Sequence, residues 1–298
     1  MDKKRIMELE KKFALTDKQY EKGLNKIRLI TFANKKSVEN PTMVLVGGQQ
    51  GSGKSQLLIN NGFSDGNVVI ISLDDFAVHN PHASKIKRNC PDLFAHLTLE
   101  SGYKWRKSIY NEVVDGRYNG ITEMALKDKE NDPKLVKSLK DNGVKVVARV
   151  MATSLYESVI SVYERYEEQL SSGIGYPKLT ESTSAYDKIP EAVETLEDTG
   201  LLDTVEVYIR GRNYVPIRVY SSLEKEQYGS ARQALETERN RNLEYDQQSF
   251  LIRTQGMFNR LNNRQATARE VQRMEEDVKF VCDYYNIKSF DEIEREVE

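Results

Sequence analysis

The segment Gly48-Gln49-Gln50-Gly51-Ser52-Gly53-Lys54-Ser55 constrains the fold of this chain more than any other. An apolar run at 43–46 precedes it and is typical of a buried strand, and residues 56–59 follow it as a helix start. This pattern between a strand and a helix is a P-loop, whose glycines let backbone N–H groups wrap a phosphate. We therefore predict that all eight residues bind ATP or another nucleoside triphosphate, with Lys54 on the outer phosphates and the Ser55 hydroxyl on Mg²⁺.

Composition narrows the class of protein further. The 298 residues are 39% hydrophobic and 30% charged, and the net charge of −2 gives no basic signature for nucleic acid. No apolar run approaches membrane-spanning length, and the N-terminus lacks the apolar core of a signal peptide. Cys90 and Cys282 are expected to be unpaired thiols. These features predict a cytoplasmic protein that binds neither nucleic acid nor membrane.

Strand and helix patterns alternate along most of the chain. Strands are predicted at 43–46, 68–73, 121–123, 144–151, 205–209 and 217–220, and helices at 17–32, 104–114, 133–142 and 155–170. Such alternation is typical of an α/β fold with a mainly parallel central sheet flanked by helices. A loop or lid is predicted at 171–188. Residues 1–223 are predicted to form this domain, and residues 224–298 a charged helical extension packed on it or following it.

Several polar residues lie where they could act on a phosphate. Asp74 and Asp75 directly follow the second strand and Glu123 ends the third, so all three fall at the carboxyl edge of the sheet, where ligands bind. Asp74 or Asp75 could deprotonate an acceptor hydroxyl or hold Mg²⁺ through water, although aspartates also favour helix caps and turns. Glu123 could equally be a solvated strand end. Arg165, on a helix, could equally lie in a surface ion pair.

Together with several further segments, these motifs resemble the zeta toxin family, the kinase half of epsilon–zeta toxin–antitoxin systems. The resemblance lies in Phe13-Ala14-Leu15-Thr16-Asp17-Lys18-Gln19-Tyr20, the P-loop with its leading Gly47, Gly66–Ile71, Glu164–Glu167, Glu194–Leu201 and Val219–Leu223. It covers roughly two thirds of the chain. It implies a P-loop kinase fold and phosphorylation of the 3′-hydroxyl of the sugar in UDP-N-acetylglucosamine, with ATP or GTP and Mg²⁺. A small helical antitoxin of epsilon type is the implied partner.

The resemblance also assigns roles to individual residues. Lys54 becomes the phosphate-binding lysine, Asp74 the base on the acceptor hydroxyl and Arg165 a charge-stabilising arginine at the lid. Asp75, Glu123 and Lys178 are assigned to substrate binding, and Ser55 with Glu123 to the metal.

Three positions depart from the family pattern. Asp75 replaces the usual Thr. Glu-Gly-Thr-Gly-Arg becomes Glu123-Met124-Ala125-Leu126-Lys127. The second lid arginine has only Lys178 nearby, and a lysine lacks the planar fork of an arginine. Another nucleotide-sugar, a dinucleotide or a small metabolite is therefore the alternative acceptor, and a nucleotide-dependent binding module is the alternative of another class.

Overall fold

The computed structural model describes residues 3–60, 62–172, 185–224 and 227–287. Its centre is a six-stranded sheet in the order β2-β3-β1-β4-β5-β6. All neighbours pair in parallel except β5 and β6, which form an antiparallel hairpin. The strands are β1 (Thr42–Gly47), β2 (Val69–Ile71), β3 (Gly120–Glu123), β4 (Lys145–Met151), β5 (Thr204–Arg210) and β6 (Pro216–Ser221).

Helices connect the parallel strands and form most of the C-terminal part. Those before β4 are α1 (Lys3–Phe13), α2 (Asp17–Thr31), α3 (Lys54–Ile59), α4 (Leu73–Ala77), α5 (Ala83–Asn89), α6 (Phe94–Asp115) and α7 (Asn131–Asp141). Those after it are α8 (Leu155–Ser171), α9 (Lys188–Asp198), α10 (Ala231–Arg239), α11 (Leu243–Asn263) and α12 (Ala268–Tyr284). Thr16 caps α2 in a full capping box with Gln19.

The sheet is buried on both faces, as a parallel sheet requires. Side chains alternate along β1, so Met43 and Leu45 pack with helices α2, α6, α7 and α9, while Val44 and Val46 pack with α3. In the strand order, β1 lies near the centre of the sheet, between β3 and β4. The loop that follows β1 therefore lies at the middle of the carboxyl edge of the sheet, the usual ligand site of such folds.

Trp105 fixes α6 against α2. Its side chain is fully buried, and its Nε1 donates to the carbonyl of Tyr20 at 3.1 Å. A Cβ on Gly23 would lie 2.5 Å from the indole ring, so only glycine permits this approach of the two helices.

The C-terminal helices α11 and α12 pack on α8 and form a second core with it. The apolar face of α8 meets Phe250 and Met257 of α11 and Met274 and Val281 of α12. Charged groups close the edge of this core, since Arg264 donates to both Glu167 on α8 and Glu270 on α12. Helix α8 is therefore held between the P-loop side of the sheet and the C-terminal helices.

The α/β class, the mainly parallel sheet and the helical C-terminal part are confirmed. The sequence analysis missed α1, α4, α5, α9 and the first turns of α6, and β2 is shorter than predicted because residues 73–77 form α4. The predicted loop at 171–188 lies mostly outside the described residues, and Lys178 lies wholly outside them. Both cysteines are free, as predicted, and both are buried. No helix in the described ranges is long and apolar enough to cross a bilayer.

Candidate active site

The P-loop joins β1 to α3 through three glycines in the left-handed region of backbone space. The φ angles are +140° at Gly48, +74° at Gly51 and +98° at Gly53, values that other residues adopt at a cost. Gly51 also lies against α8, since a Cβ there would fall 1.9 Å from the carbonyl oxygen of Ser158. Gly53 caps α3 without a side-chain hydrogen bond, so the first amides of α3 face the loop.

Buried hydrogen bonds fix the first half of the loop. Gln49 is 1% exposed, and its Nε2 donates to the carbonyl of Thr153 at 2.8 Å and to the hydroxyl of Ser158 at 3.2 Å. Arg239 donates to its Oε1 at 3.3 Å, and the Thr153 hydroxyl donates to the carbonyl of Ser52 at 2.8 Å. The Gln49 side chain therefore braces the loop, which leaves its backbone amide as the group for a phosphate.

Lys54 begins α3 and is held inside the loop. Its Nζ donates to the carbonyls of Gly48 at 2.8 Å and Gln49 at 2.7 Å. Burial lowers the pKa of Lys54 below its ordinary value, and the nearby charges of Glu123 and Asp74 oppose this shift. An anionic phosphate would stabilise the charged form of this ammonium further.

One cavity of about 350 Å³ collects most of the predicted site residues. It is lined by Gln50–Gln56 of the loop and helix α3, by Asp74, by Glu123, by three residues of α8 besides Arg165, and by Arg210 and Tyr214. Asp74 lies in the first turn of α4, which Ser72 caps, and Glu123 ends β3 beside Val46 of β1. Asp75 is exposed and does not line this cavity. The shared carboxyl edge of β1, β2 and β3 thus places two of the three predicted carboxylates at the loop.

Arg165 projects from α8 into the same cavity. Its Nε and Nη2 are buried and, among the residues that the structure describes, have no hydrogen-bond partner. Buried donors without partners are costly, and they are tolerated where a ligand completes them. The outer side of α8 is fixed, because Arg253 of α11 donates to Glu157 and to Glu164, each at 2.5 Å.

Three residues at or beside this cavity were not found by sequence analysis. Arg210, the last residue of β5, donates to the Gly51 carbonyl at 2.5 Å, and Tyr214 lies beneath its guanidinium. Arg106 of α6 hydrogen-bonds the Thr122 hydroxyl at 3.4 Å, and burial lowers its pKa against the opposing charge of Glu123. One sequence feature could have pointed to Arg210, namely its position at the carboxyl end of a predicted strand. No local pattern marked Arg106.

Comparisons with known proteins identify the family of this chain. Residues 26–223 match the family model described as Zeta toxin. Toxin zeta of Streptococcus pyogenes is 31% identical over 234 residues, which cover 76% of this chain and 78% of that protein. Toxin PezT of Streptococcus pneumoniae serotype 4 is 27% identical over 205 residues, covering 67% of this chain and 81% of that protein.

Solved structures share the fold. A chain from the PezAT chromosomal toxin–antitoxin system of Streptococcus pneumoniae superposes with a TM-score of 0.67 at 22% identity, over 82% of this chain and 98% of that one. A chain of the AvrRxo1-ORF1:-ORF2 complex gives a TM-score of 0.54 at 14% identity, over 74% and 72%. Because the family model spans well over half of its length, the chain belongs to the zeta toxin family.

Proposed function

We propose that this protein is a kinase that transfers the γ-phosphoryl group of ATP or GTP, with Mg²⁺, to the 3′-hydroxyl of the sugar in UDP-N-acetylglucosamine. The observation that carries the proposal is the single cavity in which the P-loop, Asp74, Glu123 and Arg165 meet. Phosphoryl transfer needs a phosphate cradle, a group for the acceptor proton and positive charge near the transferring oxygens. Each requirement has a candidate residue at this cavity.

Catalysis would consist mainly of positioning and electrostatic stabilisation. Lys54 exchanges its loop carbonyls for the outer phosphate oxygens, and Arg165 offers the transferring group its Nε and Nη2, which have no partner among the described residues. The carboxylate of Asp74 takes the proton of the acceptor hydroxyl. The acceptor oxygen then bonds to the γ-phosphorus as the bond to the bridging oxygen breaks, and the nucleoside diphosphate leaves.

The donor set suits magnesium. Mg²⁺ prefers oxygen ligands and takes only one or two groups from the protein, with phosphates and water completing its shell. Ser55 and Glu123 line the cavity with such oxygens. The described residues hold no cluster of three or more metal-binding side chains, and a phosphate-bound magnesium does not require one. When bound, Mg²⁺ neutralises the charge that develops on the phosphate oxygens.

Mass spectrometry of UDP-N-acetylglucosamine incubated with the protein, ATP and Mg²⁺ tests the proposal. We expect one added phosphate on the sugar. Asp74→Asn should lower the rate at least about 100-fold, because a positioned base contributes that much. Asp75→Asn is the matched control and should keep most of the activity, since Asp75 is exposed outside the cavity. Equal losses in the two variants would contradict the role of Asp74.

A different acceptor is the second candidate function. Met124 and Leu126 stand where the family pattern has glycines, and Arg106 adds a partly buried positive charge near Glu123. These features favour another nucleotide-sugar, a dinucleotide or a small anionic metabolite. Transfer of labelled phosphate to a metabolite extract, with no change in UDP-N-acetylglucosamine, would select this candidate. ATP binding without any phosphorylated product would instead favour a nucleotide-dependent binding module.

We further propose that the protein acts as the toxin of a toxin–antitoxin pair in the cytoplasm, restrained by a small helical antitoxin. The support is the naming of its relatives as toxins and the PezAT system of its structural neighbour. Induced expression of the wild-type chain should stop growth, and the Asp74→Asn chain should not. Normal growth with active wild-type enzyme in the cell would contradict toxicity.

A further inference from the structure

The side chains that line the P-loop cavity fall into two groups. Glu123, Arg165 and Asp74 lie close enough to Lys54 for their charges to act on its ammonium. Arg210 and Tyr214 come instead from the β5–β6 hairpin, where Arg210 contacts Gly51 and lies beside Gly53 of the loop. The first group suits the outer phosphates and the acceptor, which leaves the hairpin group for the inner phosphate and the nucleoside.

Arg210 ties the hairpin to the loop. Its Nη2 donates to the Gly51 carbonyl at 2.5 Å, and its Nη1 donates to Ser161 at 3.1 Å and to Glu157 at 3.2 Å. Its Nε is buried without a hydrogen-bond partner among the described residues and lies 3.6 Å from where a Cβ of Gly53 would stand. The guanidinium plane is thus fixed beside the second half of the loop.

Tyr214 is placed at the cavity by a strained turn. Asn213 and Tyr214 both have positive φ angles, of 56° and 61°, and a bulky tyrosine adopts this backbone region only at a cost. The ring lies 5.3 Å below the guanidinium of Arg210, yet 58% of Tyr214 is exposed. Among the described residues that line the cavity, Tyr214 is the only aromatic one. A strained backbone that holds an exposed ring at a binding cavity points to a role for that ring.

We propose that Tyr214 and Arg210 form a stacking platform for the purine base of the bound nucleotide. The P-loop fixes the direction of the ligand, because its backbone holds the α- and β-phosphates while Lys54 reaches the β- and γ-phosphates. With the γ-phosphate toward Asp74 and Arg165, the base leaves on the side of Gly53 and the hairpin. A tyrosine ring and an arginine guanidinium can both stack on the π-face of a base. Such stacking does not depend on which hydrogen-bonding groups the base carries. The platform therefore takes adenine and guanine alike.

This inference rests on the proposed nucleotide binding, and calorimetry can separate the two. The wild-type protein is titrated with ATP, GTP and inorganic tripolyphosphate, each with Mg²⁺. We expect ATP and GTP to bind within a few-fold of each other and roughly 5- to 100-fold more tightly than tripolyphosphate, the gain that stacking of one base gives. Tyr214→Ala should remove most of this difference without changing the affinity for tripolyphosphate.

Two further variants serve as controls. Tyr214→Phe keeps the ring and should retain the affinity for ATP, and Tyr245→Ala removes another exposed tyrosine that does not line this cavity. Equal affinities of ATP and tripolyphosphate in the wild type, or equal losses of both in Tyr214→Ala, would overturn the platform while nucleotide binding stands. Failure of all three ligands to bind the folded wild type would overturn the proposed function, and the platform with it.

Discussion

A methyl group on Gly51 would test whether the P-loop is wedged against α8. In Gly51→Ala the new Cβ would lie 1.9 Å from the Ser158 carbonyl oxygen and 3.1 Å from Cγ2 of Val162. Contacts of real Cβ atoms essentially never fall below 3.0 Å, so the first distance is a clash. The first neighbour is backbone of a helix, so it cannot rotate away. Either the loop or α8 must therefore move by about 1 Å, a shift of the size that overpacking imposes on a rigid site.

Two costs add in this variant. The φ of +74° at Gly51 costs an alanine about 1–2 kcal/mol, and overpacking against α8 costs about 1–3 kcal/mol more. The free energy of unfolding should therefore fall by about 2–5 kcal/mol. Because α8 also carries Arg165, misplacement by about 1 Å should lower the phosphoryl-transfer rate about 100-fold.

Gly66→Ala is the matched control for the backbone cost. Gly66 also has a positive φ, of +66°, but a Cβ there meets no atom within 4 Å. Urea denaturation should show a loss of only about 1–2 kcal/mol, and ATP affinity by calorimetry should be unchanged. If both variants lost the same stability and Gly51→Ala still bound ATP as the wild type does, the wedge against α8 would be refuted.

Three further predictions concern the supports of the site. Arg253→Met removes the bonds to Glu157 and Glu164, so urea denaturation should show a loss of about 1–3 kcal/mol, and an unchanged midpoint would contradict it. Trp105→Ala opens a cavity under α2 and should cost about 3–5 kcal/mol in the same assay; a loss below about 1 kcal/mol would argue against close packing there. Burial lowers the pKa of Lys54, so the folded protein releases this proton before the unfolded chain does, and this group adds stability as pH rises toward 10.5. ATP restores the charge, so calorimetry in two alkaline buffers should detect proton uptake on binding, and none would contradict the shift.

Local patterns predicted the parts of the site that lie on one stretch of chain. The P-loop was recognised because strand, glycines, Lys54 and helix are consecutive, and Asp74 because it follows a β-branched strand. Arg210 and Arg106 were missed because their roles come from contacts between distant segments, with Gly51 and with Thr122. The sequence pattern around each is that of an ordinary charged residue at a strand end or on a helix.

The same limit explains the misassigned helix boundaries. Helix α1 has apolar residues that pack into a small cluster with α5 and α6. Its sequence is short and highly charged, so its apolar period is hard to recognise. Helix α6 begins at Phe94, ten residues before the predicted start, because Phe94 and Thr98 are buried by neighbours that the local sequence does not contain. Tertiary burial therefore extends helices that propensity leaves undecided.

Arg239 argues that the packing around the P-loop does not end at residue 223, where the family likeness ends and a domain boundary was predicted. This arginine of α10 is 3% exposed, donates to the Tyr186 carbonyl at 2.9 Å and reaches Gln49 in the loop. Burial lowers its pKa, a cost that its fixed partners Tyr186 and Gln49 help to offset. Cutting the chain at 223 would remove that partner from Gln49 and uncover the face of α8 that Phe250 and Met274 bury. Since α8 carries Arg165, the helices after 223 support the geometry of the P-loop cavity, although the boundary itself stays a prediction.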